Sequence, residues 1–445
     1  MPSIESSIEH QLNGLRRATG STTSRKAAAE VFLVSKMDIN YFVCTLGQAA
    51  ALGKNQNDYQ DINQLLDRQA ERVGQQPAVG FLRPSSVTGD PWQHRILRFK
   101  DVQRGSQVVT ERLSSRADGG LSGKQTVALL CPSSADFLFV WLALMRLGHS
   151  VLLLAPQCQP SAIAHLCKTC GVSYLFYDDV YQDQAKASAE LLKGGDAALH
   201  SLALSSVLGQ DIFNTVEEEP KEHISPPALE ETSVAYLHHT SGTSTGLPKP
   251  IPQSHRAGVG VLPCLPNGSR KATFTTTPLY HGGIADLFRA WTSNALIWLF
   301  PGKEVPITAT NICRCLEAAA ESSRAHETSQ VCYFSSVPYI LQMMEADKQG
   351  MQYLTSMDIV GVGGAALPAE VGDRLVQKGV NLISRFGSAE CGFIMSSHRD
   401  YEKDKEWQYL RSQHGAQALK FEPQDDGTSE LVIMPGWPHM VRQSQ

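Results

Sequence analysis

The 445-residue sequence is poor in the features that mark several classes of protein. It has no excess of positive charge: 39 lysines and arginines stand against 44 aspartates and glutamates, a net charge of −5. Chains that gather nucleic acid or an anionic membrane surface carry a basic field, and this one does not. Cysteine is sparse, with ten in the whole chain, too few and too scattered for a disulfide scaffold. Reduced thiols in a cytoplasmic protein are the expectation. The best metal spacing, Cys167-Lys168-Thr169-Cys170, has no second Cys/His pair at zinc-finger distance. No apolar run reaches the ~20 residues of a membrane-spanning helix. The longest, 137–155, is broken by Arg146 and His149. There is no internal repeat, no low-complexity tract, and no secretory-leader core near the start.

What is present is the patterning of an α/β protein. Residues 1–57 read as a weakly ordered N-terminal extension, 58–438 as the core and 439–445 as a tail. Ile62, Leu65, Leu66, Gln69 and Val73 have helical spacing. Residues 77–81 then read as a strand, 126–131 and 150–155 as buried strands, and 173–177 as another. Helices are expected at 134–147 and 160–170 between them. This β-α-β-α-β order predicts a parallel sheet. The polar stretch 182–232, with Glu217-Glu218-Glu219 and three prolines, reads as a solvated connection. Strands are expected at 233–238, 272–276, 296–300, 331–335 and 358–362.

The strand at 233–238 runs into Thr240-Ser241-Gly242-Thr243-Ser244-Thr245-Gly246-Leu247-Pro248-Lys249. Five hydroxyls, two glycines and a lysine in ten residues suit a polyphosphate. Glycines let the backbone approach, hydroxyls and amides donate to phosphate oxygens, and lysine adds a mobile charge. The spacing is not that of a P-loop, because Leu247 stands where its second glycine belongs and Pro250 follows the lysine. Residues 242–246 match G-x-S-x-G, but a nucleophile elbow must lead into a helix, and Pro248, Pro250 and Pro252 forbid one.

The loop resembles the phosphate-binding signature of the acyl-adenylate-forming superfamily, the acyl-CoA synthetases and peptide-synthetase adenylation domains, with one extra residue between Gly242 and Gly246. Three further segments, in the same order, are similar to that family. Pro278-Leu279-Tyr280-His281-Gly282-Gly283 resembles its acyl-pocket segment. Gly363-Gly364-Ala365 resembles the turn that packs on adenine, and Arg385-Phe386-Gly387-Ser388-Ala389-Glu390 the segment whose glutamate holds the metal on ATP. Several stretches, such as residues 278–291, are most similar to fungal peptide-synthetase-like enzymes. The resemblance implies an α/β fold of two stacked subdomains, the large N-terminal domain of the superfamily. It also implies ATP and Mg²⁺ as cofactors, a small carboxylic acid as substrate, and CoA or a carrier pantetheine as acceptor. By the same resemblance Thr240, Ser241, Gly242, Thr243, Ser244, Thr245, Gly246 and Lys249 hold the phosphates. Gly363, Gly364, Ala365, Phe386, Gly387, Ser388 and Ala389 line the nucleotide, and Glu390 anchors the metal. His281, Gly282, Gly283 and Ile284 face the substrate, with His281 orienting its carboxylate.

The sequence also departs from the family. Ala389 stands where a threonine is usual. No ribose-gripping T-G-D segment and no lid domain with its catalytic lysine follow before Gln445. The C-terminal lid is therefore expected to be absent, and a truncated, non-catalytic ATP- or acyl-binding remnant stands as the alternative to a working adenylating enzyme. Amino-acid-activating relatives place an aspartate just after the pocket aromatic. Here glycines follow Tyr280-His281 and the nearest acid is Asp286, so the expected substrate lacks an α-amino group, an aryl or 2-oxo acid. A further reading takes Gly361-Val362-Gly363-Gly364-Ala365-Ala366 as a dinucleotide fingerprint, with Arg385 meeting a 2′-phosphate in an NADP-dependent oxidoreductase. It lacks the acidic partner ~20 residues on.

Overall fold

The computed structural model describes residues 39–55, 60–85, 90–115, 121, 123–193, 198–209, 211–222, 224–241, 246–411 and 416–439. Strands β1 (Pro77–Arg83) and β2 (Gln93–Arg98) pair antiparallel at one edge of a large sheet. The chain then builds a second sheet from β3 (Thr126–Leu130), β4 (Ser150–Leu154), β5 (Tyr174–Tyr177), β6 (His200–Ala203), β7 (Val234–His239) and β8 (Pro250–Ser254), in spatial order β6-β5-β3-β4-β7-β8. Its pairs are parallel except the β7–β8 hairpin at the edge. Returning to the large sheet, the chain adds β9 (Ala272–Thr275), β10 (Ile297–Leu299), β11 (Val331–Ser336), β12 (Ile359–Gly363), β13 (Leu382–Ser388) and β14 (Gly392–Ser396). The resulting eight strands lie in the order β14-β13-β12-β11-β9-β10-β1-β2. A final hairpin joins β15 (Leu419–Pro423) to β16 (Ser429–Ile433).

Strands β3 and β4 are covered on both faces, which is why their sequences, TVALL and SVLLL, are apolar rather than alternating. The helix Ala135–Arg146 is buried at every position but Asp136, as befits a helix held between layers rather than on a surface. Ser134 caps it, its hydroxyl accepting from the Phe137 amide at 3.2 Å. Trp141 of that helix meets Phe288 of the helix Gly283–Thr292 with ring centroids 5.5 Å apart. One apolar core thus runs between the two sheets, from Val127 and Val151 to Val79 and Ile297. The expected two stacked α/β subdomains are what the fold contains.

Three segments differ from the sequence reading. Within the expected N-terminal extension, Tyr41, Phe42, Val43 and Leu46 are buried in that shared core. The helix Leu46–Ala51 is closed by a capping box between Thr45 and Gln48. The segment is too short to show helical periodicity, and long-range contacts order it: the Tyr41 hydroxyl hydrogen-bonds with that of Thr273 at 2.8 Å. Within the expected tail, His439 is buried. Within the stretch read as a solvated connection, β6 pairs parallel with β5. Among the described residues no helix is long and apolar enough to cross a membrane, and none of the ten cysteines is in a disulfide.

Candidate active site

The strand ends of both sheets converge on one cavity of about 520 Å³. The lower sheet contributes His238 and His239 at the end of β7 and Gln253 on β8. The large sheet contributes the turn after β9, with Thr277, His281 and Gly282, then Gly363 and Gly364 at the end of β12, and Arg385 with Gly387, Ser388 and Ala389 from β13. Ligands of open α/β sheets collect at such carboxyl ends.

The phosphate-loop segment proves to be the connection of the β7–β8 hairpin. Thr240 and Lys249 close its neck: the Thr240 amide donates to the Lys249 carbonyl at 2.9 Å, and the Thr240 hydroxyl accepts from the Lys249 amide at 2.9 Å. Ser241, Gly246 and Lys249 are exposed beside it, and Gly246 has φ +78°, a conformation that favours glycine. Gly242, Thr243, Ser244 and Thr245 lie outside the described residues. The hairpin leads into a strand rather than a helix, so the segment has no nucleophile-elbow geometry.

Glu390 sits in the turn between β13 and β14, exposed. Gln253 links this turn to the hairpin, its Nε2 donating to the Ala389 carbonyl at 2.6 Å, while His439 Nε2 donates to Gln253 Oε1 at 2.9 Å. The strand that leaves the phosphate loop is thereby tied to the turn that carries the glutamate. The described residues hold no group of three or more metal-ligating side chains. A lone exposed carboxylate fits Mg²⁺ brought by a nucleotide, since that ion keeps most of its ligands as phosphate oxygens and water.

On the acyl side, His239 has a fixed tautomer: Nε2 accepts from the Ala155 amide at 3.1 Å and Nδ1 donates to the Thr240 carbonyl at 2.9 Å. His238 Nδ1 donates to the Tyr280 carbonyl at 3.1 Å. The His281 ring lies 6.0 Å from that of His239. Burial pushes His238 and His281 down to about 4, so both are neutral near pH 7. His281 therefore offers the cavity a hydrogen bond rather than a positive charge.

Some expected residues stand apart from the cavity. Ile284, expected to face substrate, is fully buried in the core between the sheets, because it begins the apolar stripe of the helix Gly283–Thr292. Gly283 is required by packing: a Cβ there would lie 2.2 Å from the Thr277 carbonyl oxygen. Ala365 and Phe386 are exposed and outside the cavity lining, and Thr240, Ser241, Gly246, Lys249 and Glu390 are outside it too.

The floor of the cavity was not foreseen. Asp286 and Arg289, three residues apart and so on one face of the helix Gly283–Thr292, both line it. Asp286 Oδ1 accepts from Arg385 Nη2 at 2.9 Å, and Oδ2 from the hydroxyls of Ser335 at 2.6 Å and Thr275 at 3.2 Å. Arg385 is thus turned into the cavity and paired, not presented to a cofactor 2′-phosphate. Arg289 Nη2 donates to the carbonyls of Tyr41, at 2.8 Å, and Cys44. Phe393 lies beside both guanidinium groups, 4.9 Å from Arg289 and 5.0 Å from Arg385. A charged pair at helical spacing inside an otherwise apolar helix was the available signal.

The profile of the AMP-binding enzyme family matches residues 66–417. Among curated proteins, an unconventional non-ribosomal peptide synthetase of Acremonium egyptiacum, ascB, is 28% identical over 307 residues, covering 67% of this chain and 26% of its own. The adenylate-forming reductase stbB of Stachybotrys bisbyi is 28% identical over 326 residues, 70% of this chain and 29% of its own. The chain therefore spans between a quarter and a third of the length of these relatives. Among solved structures, the anthranilate CoA ligase AuaEII in complex with anthranoyl-AMP superposes with TM-score 0.61 at 19% identity, covering 84% of this chain and 67% of that one. The long-chain-fatty-acid-CoA ligase FadD1 of Archaeoglobus fulgidus gives TM-score 0.62 at 13% identity, covering 91% and 78%. At these identities the likeness is one of fold.

Proposed function

Because this chain belongs to the AMP-binding enzyme family, we propose that it binds ATP and a small carboxylic acid lacking an α-amino group, and joins them as an acyl-adenylate. The carboxylate oxygen attacks the α-phosphorus, the bond to the bridging oxygen breaks, and pyrophosphate leaves. Such a step asks little covalent chemistry of the protein; it needs aligned reactants and stabilised oxygen charge. The observation that supports the reading is convergence: three of the four segments line one cavity, and the hairpin connection begins at Thr240, next to His239, which lines it as well.

In this reading the hairpin loop and Lys249 hold the departing phosphates. Glu390 holds Mg²⁺, which when bound neutralises phosphate charge. Gly363, Gly364 and residues 387–389 flank the nucleotide, and neutral His281 donates to the carboxylate. Asp286 supports the missing α-amino group: both its oxygens are engaged by Arg385, Ser335 and Thr275, so among the described residues no free carboxylate lines the cavity to receive an ammonium. A CoA or pantetheine thiol is the acceptor class that suits a product adenylate.

Calorimetric titration with Mg-ATP tests the nucleotide half, and acid-dependent ATP–pyrophosphate exchange tests the acid half. Wild type is expected to bind Mg-ATP and a Lys249→Ala/Glu390→Ala double variant to bind it at least about tenfold more weakly. No binding at millimolar Mg-ATP by the folded chain overturns the reading. Exchange supported only by free amino acids overturns the substrate class.

A further inference from the structure

The floor of the cavity carries an imbalance that adenylation alone does not explain. Three charged side chains meet there: Asp286 and Arg289, buried with relative exposures of 7% and 2%, and Arg385, which is partly buried. Asp286 is matched to Arg385 at 2.9 Å. Arg289 is left over. One of its nitrogens is used on the carbonyls of Tyr41 and Cys44. Its Nε and Nη1, both buried, have no hydrogen-bond partner among the described residues. The Phe393 ring, 4.9 Å away, gives a quadrupole but accepts no conventional hydrogen bond. A buried cation without an anion is costly and is normally paired.

Anchoring the segment at Tyr41 and Cys44 does not require a charge. A neutral amide donor would serve two carbonyls without leaving a buried guanidinium uncompensated. Among the described residues Asp286, already bonded to Arg385, is the anion near Arg289, and nothing accepts from the Arg289 Nε or Nη1; an anionic group of a ligand would complete it.

Geometry says which anion. The reacting carboxylate belongs beside His281, at the start of the helix Gly283–Thr292. Arg289 lies on the same helix, six residues beyond Gly283, roughly 9 Å further along its axis at 1.5 Å per residue. A single carboxylate does not reach both places. A benzene-1,4-dicarboxylate or an extended six-carbon diacid is somewhat shorter than that backbone rise, and the hydrogen bonds at its two ends, with the reach of the arginine side chain, make up the difference.

We propose that the acid pocket is built for a dicarboxylic acid, one carboxylate reacting beside His281 and the second received at the floor by the Arg289 guanidinium next to Arg385. This rests on the adenylate-forming reading above and names the substrate class of that same site. The wall between the two ends is apolar and small, with Gly282 and Ala285 on the helix side, so a flat ring or an extended chain fits between them. The second carboxylate raises the local count of anions to two, equal to the two arginines. The same surplus cation turns away a distal ammonium.

The test is titration of the intact chain with AMP and with matched non-hydrolysable acyl-adenylate mimics, the sulfamoyl-adenosine derivatives of benzoate, benzene-1,3- and 1,4-dicarboxylate, hexanoate and hexanedioate. At least one carboxylated mimic is expected to bind about tenfold or more tighter than its uncharged partner. That ratio, measured within each variant, is expected to fall to near one in Arg289→Met and to be kept in part by Arg289→Lys. The ratio in wild type stands on its own if Arg289→Met does not fold. Binding of AMP and the uncharged mimics, with every carboxylated mimic equal or weaker, overturns the dicarboxylate proposal and leaves the adenylate reading standing. A folded chain that binds neither AMP nor any mimic overturns both.

Discussion

The two sides of the cavity are built by opposite means. The side proposed for the nucleotide is made of turns: the glycines ending β12 and residues 387–389 at the cavity, with the hairpin neck at Thr240 and Lys249 and the exposed Glu390 beyond its lining. Its groups are exposed, and it offers backbone and small side chains. The side proposed for the acid is made of a helix face and strand interiors, with Asp286, Arg385 and Ser335 interlocked, Arg289 beside them, and Phe42 and Phe393 against the guanidinium groups. A ligand common to a whole family can be met by backbone at fixed short spacing. A ligand particular to one chain is met by side chains, and their charges must be balanced within the fold.

If this contrast is right, substitutions on the acid side disturb the fold, and those on the nucleotide side disturb binding alone. Asp286→Ala removes the partner of a buried arginine and leaves two adjacent guanidinium groups. It is expected to lower stability by about 3–5 kcal/mol, read as a shifted midpoint in urea unfolding at constant slope. An effect below about 1 kcal/mol would show that water already reaches the floor.

Acid should act on the same side. The His238 ring is held neutral in the fold by burial, down to about 4, while in the unfolded chain it titrates at its ordinary value. Between those two values the unfolded state binds the extra proton, so stability falls as pH drops from about 6.5 towards 4 and levels off below. The slope expected from His238 is about 1 kcal/mol per pH unit, with less from the more exposed His281. Unfolding midpoints of wild type and His238→Asn across pH 4.5–7 check it; the variant should show the shallower slope.

Gln253→Ala tests the strut between the two sides. It leaves the Ala389 carbonyl and His439 without their partner, and a loss of about 1–2 kcal/mol is expected, with weaker Mg-ATP binding as the Glu390 turn loosens. Lys249→Ala should do least to the fold. An exposed lysine costs within about 0.5 kcal/mol, so thermal unfolding should be unchanged while Mg-ATP affinity falls.

The same contrast explains what was legible in the sequence. The buried parallel strands announced themselves because strands covered on both faces are apolar throughout, and β3, β4 and β9 fall within one or two residues of their expected ends. The segments at the turns stood out in the sequence because each is a short continuous string, and Gly363, Gly364 and residues 387–389 do line the cavity. The cavity floor did not stand out, because its members lie at 286, 289, 335 and 385 and meet only when the helix Gly283–Thr292 packs beside a sheet in which β12 separates β11 from β13. Residues 41–46 escaped for the same reason: their order depends on Arg289 and Thr273, more than 200 positions away. The Thr45–Gln48 capping box was readable, yet one capped turn is weak evidence without the surface it packs on. Strand β6 has four residues and no fully buried position, which gives the sequence little to show.

The hairpin neck has a consequence for how this molecule tolerates change. With Thr240 and Lys249 bonded to each other through both backbone and side chain, whatever lies between them is a closed loop whose ends do not move. Lengthening such a loop by one residue costs only about 0.1 kcal/mol in closure entropy, and the ladder below it keeps its register. Grafts that shorten or lengthen this segment can be judged by nucleotide affinity alone, since the frame itself does not register them.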